Sequence, residues 1–385
     1  MQYKPKKYLI QTFGCYANEA DSSSIAGVLE ALGFEATSDL EDSDLFVINT
    51  CSVRQKSEDK VYGLGKKLKR MQDKPFVVMA GCMVGSVTGK RQRFALAELK
   101  GRTPWVDAYI NPKQIMEIPN ILHTNGLIGE WVEGKLAVSR KDNLSEKNKI
   151  GYVNISFGCD NFCTYCVVPY AREKEISRSE KEVLAEVGDM INKGFKHIML
   201  CGQNVNSWGL TMKEKFEVRT GSEHKLPFAD LLRKVHDLEG LEKLSFMSSN
   251  PFDFTEDLID AIQLPRIDEF LHLPVQSGNN DVLKSMNRRH TIEDYIVLID
   301  RIREVKPEVV FGTDIVLGFP GETRDQFMDT VKLFEKIPFK VAFISMYSPR
   351  KGTPAAEKFE DDIPLHEKKW RHAHLTKVWK KNRPN

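Results

Sequence analysis

The sequence contains little cysteine, no long apolar run and almost no net charge. Its seven cysteines are an odd number spread over 385 residues, which is unlike a disulfide-stapled secreted domain and typical of reduced cytoplasmic thiols available to metal. No apolar run approaches the roughly 18 residues that a membrane span needs, and the N-terminus lacks a signal-peptide pattern. The net charge of +2 is too small to indicate a nucleic-acid partner. We therefore expect a cytoplasmic protein that does not bind a membrane.

Three of the seven cysteines stand together in one short segment: Cys159, Cys163 and Cys166. Their C-x3-C-x2-C spacing, after the strand-like residues 152–157, brings three thiolates within reach of one cuboidal iron-sulfur cluster and leaves its fourth iron open. Structural zinc would need four ligands, usually as two pairs, and the next candidates are His197 and Cys201. Three buried cysteines placed by chance would not explain the glycine and aromatic residues among them. The segment therefore favours a cluster.

The first 130 residues repeat one design, an apolar run that ends in a cysteine and is followed by a helical pattern. The runs are residues 8–15, 45–51 and 76–82, and Ser52 is expected to cap the helix after the second. This alternation predicts βαβ units and a parallel sheet, whose strands end at one ligand-binding edge. A free cysteine is often only a small buried hydrophobe, but three in the same topological position favour a second iron-sulfur site. Its predicted ligands are Cys15, Cys51 and Cys82.

The rest of the chain is long enough for a second domain with its own core, and its composition is that of a globular protein. Residues 131–149 are polar and are expected to be a linker. From residue 150 to 375 strand-like runs alternate with amphipathic helices, two of which begin at apparent capping boxes headed by Thr291 and Thr323. The predicted strands are residues 152–157, 197–201, 243–247, 270–273, 309–317 and 341–347. Six βα units with mostly parallel strands predict a barrel two units short of the eightfold form.

Polar and glycine-rich motifs follow the predicted barrel strands, at the end where barrels carry their chemistry. They are residues 202–206, 248–251, 272–278, 318–323 and 347–354. Glycine lets the backbone approach a ligand closely, and amide side chains supply donors and acceptors without charge. Each motif alone could be an ordinary turn, but five at one rim predict a binding site. Cys201 is interpreted as a buried bystander, and the sequence leaves open whether His272 is a ligand.

The cysteine run resembles the signature of the radical S-adenosylmethionine enzymes, and the chain from about residue 7 to 355 resembles the methylthiotransferases among them. The matching motifs are Thr12-Phe13-Gly14-Cys15 with Asn18, Asn49-Thr50-Cys51-Ser52-Val53-Arg54, Gly81-Cys82, the C-x3-C-x2-C run and Gly318-Phe319-Pro320-Gly321-Glu322-Thr323. Residues 163–170 and 202–206 look like the branch that makes 2-methylthio-N6-dimethylallyladenosine in tRNA (the MiaB type). The sequence departs from that family at Glu173, where glycine is usual. The family also carries a C-terminal TRAM domain, which this sequence is expected to lack: residues 376–385 form a basic tail at the point where that domain would start.

This resemblance implies an N-terminal parallel-sheet α/β domain at residues 1–130 and a partial (β/α)6 radical S-adenosylmethionine barrel at 150–375. It implies two [4Fe-4S] clusters and two molecules of S-adenosylmethionine per turnover. The cluster on the catalytic Cys159, Cys163 and Cys166 would cleave S-adenosylmethionine to a radical that attacks C2 of adenine, and the cluster on the dispersed cysteines would supply or hold the sulfur. The predicted cofactor-binding residues are Tyr165, Gln203, Asn204, Ser248, Gln276, Gly318 and Glu322.

The implied partners are the anticodon loop of tRNA, modified at adenosine 37, and an electron donor such as flavodoxin or ferredoxin, with the enzyme acting as a monomer. Alternative substrates are threonylcarbamoyl adenosine in tRNA and an aspartate of a ribosomal protein. Two alternatives from other classes are a non-catalytic iron-sulfur electron carrier and a zinc-binding tRNA adaptor. Neither of these explains the polar motifs at the barrel rim.

Overall fold

A computed structural model describes residues 6–53, 55–131 and 150–384. Arg54 and all but the first residue of the predicted linker, residues 131–149, lie outside them. Contacts divide the chain into two compact units, of which the first comprises Met1–Lys147, Gly158–Asp160 and Val167–Glu175. The second comprises Asn148–Phe157, Asn161–Cys166 and Ile176–Asn385. Within the described ranges, no helix combines the length and the apolar character that crossing a membrane requires.

The first unit is a parallel five-stranded sheet with helices on both faces. Its strands are β1 (Lys7–Thr12), β2 (Glu35–Ala36), β3 (Leu45–Thr50), β4 (Phe76–Gly81) and β5 (Ala108–Ile110), in the order β2-β1-β3-β4-β5. Its helices are α1 (Tyr16–Ala31), α2 (Gln55–Leu68), α3 (Cys82–Thr88), α4 (Leu96–Arg102), a 3-10 helix (Pro112–Glu117), α5 (Ile118–Thr124) and α6 (Val168–Ala171). The predicted parallel sheet is confirmed.

The central strand β3 is buried along its whole length, as expected of a parallel strand covered on both faces. Because side chains alternate along a strand, Leu45 and Val47 pack with α1 on one face. Phe46 and Ile48 pack with α2 and α3 on the other. The two apolar layers hold β3 and its neighbours in register, so the strand ends are fixed points on which a site can be built.

The second unit contains six parallel strands in chain order and a short antiparallel pair. The six are β6 (Ile150–Asn154), β9 (His197–Cys201), β10 (Lys243–Phe246), β11 (Phe270–His272), β12 (Val310–Leu317) and β13 (Phe339–Met346); the pair is β7 (Ser156–Phe157) and β8 (Ile176–Ser177). The helices are α7 (Glu180–Asn192), α8 (Met212–Glu217), α9 (Pro227–His236), α10 (Glu256–Ala261), α11 (Asn280–Ser285), α12 (Ile292–Val305), α13 (Arg324–Lys336), α14 (Pro354–Lys358) and α15 (Leu365–Asn382), with 3-10 helices at Val205–Ser207 and Pro251–Asp253.

The six strands form one array. β6, β9 and β10 pair side by side, as do β11, β12 and β13. A parallel bridge between Leu244 and Ile267 joins the two groups, supported by hydrogen bonds from the Leu244 N–H to the Arg266 carbonyl (2.7 Å) and from the Asp268 N–H to the Leu244 carbonyl (2.8 Å). The predicted partial barrel is therefore confirmed, with helices following its strands in chain order.

The two predicted capping boxes of this unit are confirmed. Thr323 accepts a hydrogen bond from the Gln326 N–H (3.2 Å), and the Gln326 side chain accepts one from the Thr323 N–H (2.9 Å). Thr291 begins α12 in the same way. The predicted cap at Ser52 is wrong, because α2 begins only at Gln55 and an N-cap directly precedes its helix. Next to Ser52, the Val53 N–H donates to Sγ of Cys51 (3.4 Å).

Candidate functional site

The three dispersed cysteines lie at one edge of the sheet in the first unit. Cys51 directly follows β3, Cys82 directly follows β4 as the first residue of α3, and Cys15 follows β1 as the N-cap of α1. Since β1, β3 and β4 are neighbouring parallel strands, their carboxyl ends bring the cysteines to the same edge. Burial raises the pKa of the Cys82 thiol; the charge of Arg172 opposes this rise and that of Cys15 adds to it.

Buried amides tie these strand ends together. The Asn18 side chain donates to the Asn49 side chain and to the Thr50 carbonyl (both 3.0 Å). Asn49 in turn donates to the Asn18 carbonyl (2.8 Å) and to the Ser22 hydroxyl (2.9 Å). Gly81 has a φ of 88°, and any side chain there would clash with Asn49 and Thr50. The network therefore fixes the three cysteine-bearing segments relative to one another.

Arg172 contacts this edge, although sequence reasoning gave it no role. Its Nε donates a hydrogen bond to Sγ of Cys82 (3.4 Å), and its Nη2 donates to the Asp21 carboxylate (2.6 Å). Arg172 and Asp21 are both buried. A guanidinium therefore lies beside one predicted cluster ligand.

Cys159 lies in a loop of the first unit that depends on a left-handed residue. Its N–H donates to the Glu173 carbonyl (3.1 Å), and Glu173 has a φ of 63°, a conformation that favours glycine. The Glu173 carboxylate accepts from the Lys90 N–H (2.6 Å) and the Lys113 ammonium (3.1 Å). Burial opposes ionisation of this carboxyl, but those two groups outweigh it and lower its pKa. The carboxylate contacts thus offset the backbone strain where the family resemblance leads one to expect glycine.

Two substitutions at this position separate strain from contacts. Glu173→Ala keeps the left-handed backbone and loses both carboxylate contacts, so it should destabilise the protein by about 1–2 kcal/mol. Glu173→Gly loses the same contacts but relieves about 1 kcal/mol of strain. Its free energy of unfolding should therefore be closer to that of the unsubstituted protein. Urea unfolding measures both. Equal midpoints for the two variants would show that backbone strain has no part in the effect.

In the second unit, the loop that carries Cys163 and Cys166 is fastened to the end of α11. The Thr164 N–H and hydroxyl donate to the carbonyls of Met286 (3.1 Å) and Ser285 (2.9 Å). The Cys166 N–H donates to the Cys163 carbonyl (2.9 Å). These bonds hold the loop against the end of α11.

Left-handed backbone conformations, like that of Glu173, recur where this loop meets the residues after α11. Phe162 and Asn287 have φ values of 48° and 57°, and the Asn287 side chain donates to the Phe162 carbonyl (3.1 Å). Strain of this kind persists only where surrounding contacts impose it and is common at functional sites. Tyr165 packs against the apolar cluster of Met286 and Phe319, and burial raises the pKa of its hydroxyl, reinforced by Cys163.

Arg288 is buried beside Cys163. Its Nη1 donates to Sγ of Cys163 (3.5 Å) and its Nη2 to the Pro274 carbonyl (2.8 Å). His290 follows closely, stacked on Phe252 at 6.2 Å. Burial, reinforced by Arg288, lowers the pKa of His290, so its imidazole is neutral. Neither ring nitrogen of His290 nor Nε of Arg288 has a hydrogen-bond partner among the described residues.

The amides after β9 face one carboxylate. Asn204 and Asn206 each donate through Nδ2 to Asp253 (2.7 and 3.0 Å), and all three residues are buried. Because a carboxylate only accepts hydrogen bonds, it fixes both amide orientations and leaves Oδ1 of each as an acceptor. Within the part of the chain that the structure describes, these two Oδ1 atoms have no partner. Buried polar atoms of this kind call for a ligand that brings donors.

The other predicted cofactor-binding residues also follow strands of the barrel. Gln203 follows β9, and Ser248 and Gln276 follow β10 and β11 with left-handed φ values of 71° and 77°. Gly318 and Glu322 follow β12, where the Glu322 carboxylate accepts from the Gly318 N–H (2.6 Å). Their contact with S-adenosylmethionine stays a prediction.

His272 and Cys201, to which the sequence assigned no ligand role, lie at the ends of barrel strands. His272 ends β11, with Nε2 3.2 Å from the Asp314 carboxylate but not aligned for a hydrogen bond, and its ring meets Phe343 edge to face. Cys201 is buried at the end of β9. Among the residues with described positions, no three histidine, cysteine or carboxylate side chains meet at one metal ion. A cuboidal cluster binds each cysteine through a separate iron, so its ligands need not meet at one point.

Comparison with known proteins identifies two family models and close relatives. Residues 153–334 match the Radical SAM superfamily, and residues 7–103 match uncharacterized protein family UPF0004. A tRNA-2-methylthio-N(6)-dimethylallyladenosine synthase of Clostridium beijerinckii is 39% identical over 97% of this chain and 80% of its own length. The protein of the same name from Alkaliphilus oremlandii is also 39% identical, over 97% of this chain and 77% of its own length.

Solved structures show the same fold at low identity. The radical S-adenosylmethionine methyltransferase TsrM from Kitasatospora setae, solved with cobalamin and a [4Fe-4S] cluster, aligns with a TM-score of 0.60 at 17% identity. The alignment covers 92% of this chain and 74% of TsrM. At this identity the likeness supports the fold alone.

Proposed function

Because the chain belongs to the family of tRNA-2-methylthio-N(6)-dimethylallyladenosine synthases, we propose that it adds a methylthio group to C2 of N6-dimethylallyladenosine at position 37 of tRNA. It is a radical S-adenosylmethionine methylthiotransferase. The observation that carries the proposal is the pairing of two cysteine triads in one chain. One triad stands at the ends of three adjacent parallel strands, and the other is a C-x3-C-x2-C run that follows the first barrel strand.

The residues present fit the cofactors of this reaction. Two [4Fe-4S] clusters and S-adenosylmethionine supply the radical, the sulfur and the methyl group when bound. Each triad offers three thiols, the ligand type that iron-sulfur clusters take. We assign Cys159, Cys163 and Cys166 to the cluster that serves S-adenosylmethionine, and Cys15, Cys51 and Cys82 to the cluster that serves sulfur insertion. The cysteines are all free of disulfides.

Side chains of the second unit prepare the cofactor site. Asp253 orients the amides of Asn204 and Asn206, so that their carbonyl oxygens can accept from hydroxyl or ammonium groups of a ligand. The Arg288 guanidinium places a positive charge beside Sγ of Cys163, and burial of the cysteine keeps water from its sulfur. These contacts preorganise the site, because few groups must reorient when the ligand binds.

The proposal extends to partners and compartment. The substrate is the anticodon loop of tRNA, the electron donor is a flavodoxin or a ferredoxin, and the chain acts as a monomer in the cytoplasm. Scarce cysteine without disulfides supports a reducing compartment.

Nucleoside mass spectrometry tests the function. A host that makes N6-dimethylallyladenosine but lacks its methylthiolating enzyme would express this chain, and an empty vector serves as the control. We expect the 2-methylthio nucleoside to appear only with the chain. If the methylthio group appears instead on threonylcarbamoyl adenosine, or on a ribosomal-protein aspartate in peptide spectra, the enzyme class is right and the substrate is wrong. Detection of none of these products contradicts the proposed function.

A further inference from the structure

A buried ion pair lies at the first cysteine triad, between Arg172 and Asp21. Their charged atoms are 2.6 Å apart, and the two side chains are only 3% and 4% exposed. An arginine guanidinium keeps its proton in proteins, whatever its surroundings. The guanidinium is therefore a permanent charge inside the unit.

A close backbone approach places this guanidinium at the sulfur. Arg172 is the C-cap of α6, and α6 packs against α3, the helix that begins with Cys82. At the crossing, any side chain at Gly85 would clash with the Ala171 carbonyl. Only glycine allows this approach, and the next residue, Arg172, then reaches Cys82 with Nε while Nη2 remains on Asp21.

A buried ion pair is often only structural and contributes little net stability. Here, however, one proton of the guanidinium is committed to a cysteine sulfur rather than to the carboxylate. A hydrogen bond and a positive charge at a thiolate ligand favour the reduced, more negative state of an iron-sulfur cluster, and hydrogen bonds to sulfur are among the determinants of cluster potential. Asp21 partly cancels the same charge.

We propose that Arg172 is a positioning residue that raises the reduction potential of the cluster on Cys15, Cys51 and Cys82, and that Asp21 limits this rise. The inference rests on the proposed function, which places a cluster on these three cysteines. The ion pair then acts as a matched set of opposite charges at the cluster that serves sulfur insertion. Removing either member should move the potential, in opposite directions.

The test uses the full chain with Cys159, Cys163 and Cys166 replaced by alanine, so that iron reconstituted anaerobically can occupy only the first site. One-electron reduction is followed by electron paramagnetic resonance in a redox titration with dithionite. Arg172→Met, which leaves Asp21 unpaired, should give the lowest potential. The reduction potential of Arg172→Met with Asp21→Asn should lie between those of Arg172→Met and the parent. The potential of Asp21→Asn alone should be higher than that of the parent.

Opposite signs distinguish an electrostatic role from a structural one, since damage to packing would not reverse between the two members of a pair. Arg233→Met is the matched control, because Arg233 pairs with Asp257 at 2.9 Å in the other unit, and it should leave the potential unchanged. Shifts of the same sign for Arg172→Met and Asp21→Asn, or no shift in either, overturn the inference.

If Arg172→Met loses its iron, the double variant is used in its place, because it leaves no unpaired buried charge. A reduction potential of the double variant at or above that of the parent then contradicts the inference. If the double variant also loses iron, Asp21→Asn alone decides by the sign of its shift. A parent chain that binds no iron overturns this inference together with the proposed cluster, whereas an iron-bearing parent with unshifted variants leaves the proposed function intact.

Discussion

Replacing Cys163 with alanine is expected to abolish methylthiolation and to halve the iron content, from about eight to about four atoms per chain. Cys163 is buried, and the Thr164 and Cys166 amides fasten its loop in place, so no neighbouring thiol can replace the lost sulfur. The variant leaves the first triad intact, which is why half of the iron should remain. Iron analysis after anaerobic reconstitution and nucleoside mass spectrometry measure the two effects.

The chain supplies its own control in Cys201, the seventh cysteine. Cys201 is also buried, and it lies at the end of β9, where its thiol donates to the Met199 carbonyl (3.6 Å). Cys201→Ala should cost about 1 kcal/mol of stability through lost packing and leave iron content and product unchanged. Loss of a cluster in Cys201→Ala, or full iron in Cys163→Ala, would show that the cysteine assignment is wrong.

Much of the fold could be predicted because its signals are local. The strand His197–Cys201 has the predicted bounds, and the helix Ile292–Val305 begins directly after the predicted cap Thr291. Apolar periodicity and a capping box are both contained in a few adjacent residues. The parallel sheet places Cys51 and Cys82 directly after neighbouring strands, as the repeated strand-cysteine design led us to expect. A local pattern can also mislead, and Ser52 is an example, because a good capping residue does not require a helix to begin beside it.

The contacts that complete the site could not be predicted. Arg172 pairs with Asp21 across 151 positions of sequence, and Arg288 meets Cys163 across 125. A charged residue in a sequence indicates solvent exposure unless its partner is known, and pairing over such distances depends on the finished fold. The sequence also gave no reason to select Asp253, whose role depends on two amides brought to it from another loop.

Glu322 illustrates the same limit, because the structure gives it a partner on the last helix. Arg371 of α15 donates through Nη1 to the Glu322 carboxylate (2.7 Å) and carbonyl (2.9 Å), and through Nε to Glu367 (3.0 Å). Side chains of Arg371 and Glu322 are 4% and 1% exposed. The pair thus fastens α15 to the loop after β12, where the sequence led us to expect cofactor binding.

Arg371→Met should therefore destabilise the second unit by about 3–5 kcal/mol, because it leaves the Glu322 carboxylate buried without its charge partner. Urea unfolding at neutral pH measures the loss. The control is Arg324→Met, which removes the other arginine of Glu367. Arg324 is 62% exposed, so its pair is screened by solvent, and the cost should not exceed about 1 kcal/mol.

Lowering the pH should reduce the difference in the free energy of unfolding between Arg371→Met and the unsubstituted protein. Arg324, with a further contribution from Arg371, lowers the pKa of Glu367 to about 2. A carboxyl whose pKa is lowered by folding stabilises the protein above its unfolded pKa, about 4.3, and loses that contribution as pH falls toward 2. At acidic pH, Glu322 also becomes protonated in Arg371→Met. The variant then no longer buries a carboxylate without its charge partner. Comparable destabilisation by Arg371→Met and Arg324→Met at neutral pH, or a difference that does not change with acid, would show that the buried ion pair does not hold this helix.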